Sequence, residues 1–353
     1  MQKFFKFLTV KTVLIFIFLI NLSVVLFCFN NKNGFHSDEQ WSYAHANSTK
    51  GAYLDKEINS YYQTNDNIKQ RLFNQWIDSK TLQNYLTVQE KDKFLYKNIY
   101  QNLKVVEHPP LYFILLHTVC SFFPDSFSKW YAASINIIAF ILIYMMLFKL
   151  SKILLKDDKL ALVTTTFWGF SSIGIATIVF LRMYILQTLL SLCLAYEIIK
   201  IIEANKANSK QLFLVGLYSL LGMYNQYNSI FFSFFATIVS LFFLYKRKNY
   251  KLLFQFGGTM LLSVIMLFII YPQTYEVLSD SLRAKQVVSN MMQQHHSSEF
   301  NIMNIFLYLD IRISKFIELI TEYFFVFHHT NYQVIAFLFI ISVVLSVYFK
   351  IKI

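Results

Sequence analysis

Long apolar runs alternate with short polar connectors through most of this chain. The runs cover 13–29, 111–123, 131–150, 160–181, 185–202, 212–224, 229–245, 252–271 and 334–349. Several approach the roughly 20 residues that a helix needs to cross about 30 Å of hydrocarbon. The pattern predicts an all-α, polytopic transmembrane protein. Two stretches break it. Within 30–108, Ile68, Leu72, Phe73, Trp76, Ile77, Leu82, Tyr85 and Leu86 recur at helical spacing among Lys, Gln and Asn, which predicts amphipathic helices resting on the membrane surface. Within 300–327, Asp310, Arg312, Lys315, Glu318 and Glu322 are too many charges for a lipid-facing span, so this stretch is expected in the interface.

The layout that follows is a single membrane-embedded domain. It has a first transmembrane helix at 8–29, an external loop at 30–108 folded as a small cap, and a helix core at 109–271. An external loop with interfacial helices at 272–330 and a last transmembrane helix at 331–353 complete it. The expected number of crossings is roughly eight to ten.

Composition supports this picture: 56% of residues are hydrophobic and 15% charged, against about 25% charged in a soluble globular chain. The first apolar run follows Lys3, Lys6 and Lys11, as in a signal peptide, yet no small-x-small cleavage pattern follows it and Phe27 precedes Cys28. It is read as a retained anchor. Cys28, Cys120 and Cys193 all fall in apolar runs and read as core fillers.

The net charge of +12 raises the question of nucleic acid, and its distribution answers it. Basic residues collect in short connectors: Lys149, Lys152, Lys156 and Lys159; Lys200, Lys206 and Lys210; Lys246, Arg247, Lys248 and Lys251. Short basic connectors mark the cytoplasmic side because they resist translocation. No nucleic-acid partner is expected; the partner is the lipid bilayer. For the alternation to hold, 111–123 and 131–150 must together cross once, with the shorter piece interfacial or half-inserted.

This arrangement places the unusual polar residues on the outer face. They are Asp38 and Glu39 after the first span, Glu107 and His108 before Pro109 and Pro110, Arg182 and Tyr184 around Met183, and Tyr224, Gln226 and Tyr227 around Asn225. A carboxylate within hydrogen-bond reach of an acceptor hydroxyl can take its proton during attack. A guanidinium at an apolar helix end can meet a phosphate with paired charge-assisted bonds. Each residue also has a plain structural use: proline suits the first turn of a helix, an arginine can snorkel to the interface, and tyrosines form interface belts. The pairs His295–His296 and His328–His329 lack the i,i+4 spacing of helix-borne metal ligands.

An acidic pair after the first helix, a His-Pro-Pro-Leu-Tyr run closing a long outer loop and an Arg-Met-Tyr two helices later resemble one family over residues 8–280. The chain resembles the polytopic C-type glycosyltransferases that use lipid-phosphate sugars, the group related to protein O-mannosyltransferases and aminoarabinose transferases. The resemblance implies transfer of one sugar from a polyprenyl-phosphate carrier to a lipid, glycan or protein acceptor on the extracytoplasmic face of a bacterial inner membrane. It implies Asp38 as catalytic base and Glu39 as its support or as the group that orients the acceptor. Arg182 and His108 would meet the leaving phosphate. Tyr184, Tyr224, Gln226 and Tyr227 are candidate sugar and phosphate contacts, with Arg283 and Lys285 as secondary phosphate contacts. No cofactor and no divalent metal are expected.

The chain departs from that pattern in places. Phe180 stands where relatives often carry an acid, and Gln226 where many have histidine. Relatives usually continue for further helices past the point where this sequence stops at Ile353, so an abbreviated acceptor-selecting part is expected. A polysaccharide polymerase or ligase would share the helices but calls for large arginine-rich outer loops in the second half. A lipid-linked sugar transporter calls for midplane charges and paired Gly/Pro-broken helices, against eight glycines and four prolines here.

Overall fold

A computed structural model describes residues 10–48, 79–106, 108–277 and 279. The described residues form helices and turns with no strand, the all-α polytopic arrangement read from the sequence. The segment 51–77, most of the stretch 272–330 and the run at 334–349 lie outside the described residues.

Helix α1 (Val10–Asn30) is followed by α2 (Ser37–Asn47), α3 (Ser79–Leu86), α4 (Lys97–Asn102) and α5 (Leu111–Ser121). The core continues with α6 (Lys129–Leu155), α7 (Asp158–Phe170), α8 (Ser172–Val179), α9 (Tyr184–Ala204), α10 (Ser209–Asn225), α11 (Ser229–Lys246) and α12 (Tyr250–Ile270). Five of them, α1, α6, α9, α11 and α12, are long and apolar enough to cross a membrane, and α7 with α8 makes a sixth if counted as one span.

The run at 160–181, continuous in the sequence pattern, is broken in the structure by 56° between α7 and α8. Ser171 is the cause. Its backbone is extended there, its hydroxyl donates to the Trp168 carbonyl at 2.7 Å and accepts from Gly174 N–H at 3.0 Å. The serine thereby closes one helix and caps the next. A Cβ at Gly174 would sit 2.3 Å from the Trp168 carbonyl oxygen, so glycine is required for this close approach.

Hydrogen bonds fix which helix ends lie together. Lys129 Nζ, at the start of α6, donates to the carbonyls of Asn30 (3.0 Å) and Lys32 (2.8 Å) at the end of α1. Asn136 Nδ2, two turns into α6, reaches the carbonyls of Ile178 (2.8 Å) and Phe180 (2.9 Å) at the end of α8. Asn225 Nδ2, ending α10, donates to the Met183 carbonyl before α9 at 3.2 Å. At the opposite end Asn249 Nδ2 donates to the Asn205 carbonyl at 2.8 Å, and Arg247 bonds the Ile202 carbonyl. Helix α10, 17 residues long, packs along its neighbour α9 of 21 residues and ends beside the start of it. One end of the bundle carries the basic connectors, and the other gathers the polar residues.

Helix α5 belongs to the polar end on both sides. It starts beside His108, and at its last residue Ser121 Oγ accepts from Phe94 N–H at 3.0 Å. Asp125 N–H then bonds the Val88 carbonyl at 2.8 Å. Eleven residues at about 1.5 Å each are too short for a bilayer. With α2, α3 and α4 it forms a layer over the bundle, packed on buried Tyr43, Ile99, Leu103, Phe113 and Leu116.

Candidate active site

The site is built where the chain leaves α1 and turns into α2. His36 caps α2: its Nδ1 accepts from Asp38 N–H at 3.1 Å, while Glu39 Oε2 accepts from His36 N–H at 2.8 Å. This is a capping box with histidine in the place usually held by serine or threonine. The two acids therefore diverge. Asp38 is 49% exposed in its side chain, and Glu39 is 0% exposed.

Burying a carboxylate is tolerated only where charge and hydrogen bonds answer it. Glu39 Oε1 accepts from Leu181 N–H at 2.8 Å and lies 3.0 Å from Lys32 Nζ. The next residue is Arg182, 5% exposed. Its Nη1 donates to the Asp38 carbonyl at 2.8 Å and approaches Ser42 Oγ at 3.4 Å. Arg182 Nε has no partner among the described residues. The guanidinium meets the backbone of Asp38, not its carboxylate, so the carboxylate keeps its hydrogen-bonding capacity.

Two histidines complete the neighbourhood. His108 is half-buried with its ring 6.2 Å from Phe113. Burial first, then the Arg182 charge, holds it below the ordinary histidine value, and Asp38 opposes both. His45, on the α2 face that carries Ser42, packs on Trp41 and Phe113. Burial, with His108 and Arg182 adding to it, pushes His45 down to about 4. Both imidazoles are neutral at pH 7 and each offers one N–H and one lone pair.

Phe180, standing where an acid is common in the resembling family, stacks on Tyr184 at 5.8 Å with 6° between planes and takes the edge of His36 at 5.5 Å. Tyr184 is partly exposed beside it. On the other flank of α2, Phe35, Gln40, Leu82, Leu86 and Phe127 line a cleft of about 410 Å³.

A second polar cluster lies at the same end of the bundle. Tyr224 and Tyr100 share a hydroxyl–hydroxyl bond of 2.6 Å, and both rings contact Tyr271. Gln273 Nε2 reaches the Tyr100 carbonyl at 3.4 Å, and Tyr227 donates to Thr274 at 3.4 Å. Gln226, half-buried, caps α10 through its backbone N–H. The sequence reading brought Tyr224, Gln226 and Tyr227 forward but missed Tyr100, Lys32, His36, Ser42 and His45. Only His36 had a readable signal, the three-residue spacing to Glu39. Arg283, Lys285 and Glu107 lie outside the described residues. Among the described residues no group of three His, Cys, Asp or Glu is placed to hold a metal ion.

An all-helical membrane bundle with a guanidinium, a carboxylate and two neutral imidazoles gathered at one end defines a candidate enzyme site at the membrane boundary. Residues 107–275, just under half of the chain, match the family model for dolichyl-phosphate-mannose-protein mannosyltransferases. The match supports the resemblance to the membrane-bound C-type glycosyltransferases read from the sequence. It includes His108, Arg182 and Tyr184 and leaves Asp38 and Glu39 outside. No curated protein and no solved structure matches the chain.

Proposed function

We propose that the protein is a glycosyltransferase that moves one sugar from a polyprenyl-phosphate donor to a hydroxyl of a lipid, glycan or protein acceptor at the extracytoplasmic face of the inner membrane. The observation that carries the reading is the meeting of Arg182 with the Asp38 segment at 2.8 Å, across 144 residues of sequence. The basic connectors at the opposite end support the orientation, since such connectors stay in the cytoplasm.

The chemistry follows from the two groups. As the acceptor oxygen bonds to the anomeric carbon, its proton passes to the exposed Asp38 carboxylate. The bond from that carbon to the phosphate oxygen breaks, and the phosphate gains charge. Arg182, with Nε still to be satisfied, and the N–H of neutral His108 oppose that charge in a site of low dielectric. Tyr184, Tyr224, Gln226 and Tyr227 are assigned to the sugar and phosphate, with Arg283 and Lys285 as further phosphate contacts.

The test compares membrane glycolipids from cells carrying the native chain, Asp38→Asn or Arg182→Ala. Both variants are expected to lose one glycan species and accumulate a polyprenyl-phosphate sugar. Unchanged glycans in both would remove the transferase assignment.

A further inference from the structure

The network behind the site reaches further than the two groups assigned to chemistry. Lys129 Nζ holds the carbonyls of Asn30 and Lys32, which closes the end of α1 and sets the backbone of Lys32. From there the Lys32 side chain turns inward to Glu39 Oε1 at 3.0 Å. Glu39 passes the constraint in two directions, to His36 N–H at the cap of α2 and to Leu181 N–H one peptide before Arg182. Three parts of the fold, the ends of α1 and α8 and the start of α2, are thus fixed to one another through a single buried carboxylate, and Lys129 ties the start of α6 to the same end of α1.

We propose that Lys32 is a positioning residue for sugar transfer: paired with Glu39, it holds the Leu181–Arg182 peptide against the cap of α2, so that the Arg182 guanidinium and the Asp38 carboxylate keep a fixed separation. Glu39 is the strut of this device and not a proton acceptor. Its burial keeps an acceptor hydroxyl away, and its oxygens already serve His36, Leu181 and Lys32. Lys32 acts because an unanswered charge in that place would draw Glu39 toward water and release Leu181. The proposal rests on the assignment of Asp38 and Arg182 to the chemistry given above.

The experiment has two arms on the full chain in lipid nanodiscs. The first follows hydrolysis of polyprenyl-phosphate mannose, with water standing in for the acceptor. Lys32→Met is expected to lower kcat roughly tenfold to a hundredfold with little change in KM. Lys32→Arg is expected to restore most of the rate. The double variant Lys32→Met/Glu39→Gln should be no slower than the slower single one, because the two groups act as one unit. The second arm needs no turnover: Arg182 is labelled with an arginine-selective dicarbonyl and read by mass spectrometry. Labelling should rise several-fold in Lys32→Met and stay at the native level in Lys32→Arg.

Unchanged Arg182 labelling in Lys32→Met overturns the proposal whatever the activity, as does full kcat alongside raised labelling. Multiplying losses in the double variant overturn it too. Absence of hydrolysis in the native chain would instead count against the transferase assignment, and the labelling arm would still judge the positioning.

Discussion

Two corners of the polar end are built with different chemistry. Around Glu39 a buried carboxylate is held by a lysine and two backbone N–H groups, and Arg182 is seated one residue further on. Around Tyr224 the contacts are neutral: one hydroxyl pair, ring edges on Tyr271 and a long hydrogen bond from the Gln273 side-chain amide to the Tyr100 carbonyl. Charged bonds in a dry setting are strong and costly to leave half-made. Neutral ones contribute about 1 kcal/mol each and can be made and broken. The first corner is suited to hold reacting groups still, and the second to fasten the loop helix α4 to the bundle while allowing it to move.

The largest effect should come from removing the chemistry and leaving the frame. Asp38→Asn is expected to lower transfer roughly a hundredfold to ten-thousandfold, with native thermal stability, because the Asp38 side chain anchors nothing buried. A matching loss in Tyr224→Phe would erase the contrast between the corners. Next comes the frame. Glu39→Ala strands Lys32 and the Leu181 N–H and should cost about 3 to 5 kcal/mol of stability, seen as a lower unfolding temperature in detergent.

Acid should act on the same corner. His45 titrates near 4 in the folded chain and near its ordinary 6.5 when unfolded, so the unfolded state binds the extra proton between those values. Stability then rises with pH across that window and is lost as pH falls from 6.5 toward 4. His45→Gln should flatten that part of the profile in thermal unfolding measured from pH 4 to 7. The smallest change belongs to the neutral corner: Tyr224→Phe should cost about 1 kcal/mol and speed hydrogen exchange in α4 more than in α2.

Away from both corners, Gly169 offers a control. A Cβ there would lie 2.3 Å from Asn21 Oδ1, so Gly169→Ala should destabilise by about 1 to 3 kcal/mol through overpacking of α1 on α7. Residual transfer per folded molecule should remain native.

The apolar runs of this chain by themselves determined that it is an all-helical membrane protein, because runs of this length without alternation do not suit barrel strands and satisfy their backbone hydrogen bonds in lipid as helices. The order of the short polar motifs was enough to indicate a resemblance to the C-type glycosyltransferases, since each motif sits at a helix end that alternation sends to the same side. The division of labour between Asp38 and Glu39 was not readable from their adjacency. Neighbouring positions on a helix point about 100° apart, and only the packed structure turned one to the opening and the other toward Leu181. The break at Ser171 hid in a run whose hydropathy never dips far, because it depends on one hydroxyl bonding two backbone groups. Lys32 and Tyr100 carried no signal at all. Their partners come from distant elements, and proximity of that kind exists only after the helices have packed.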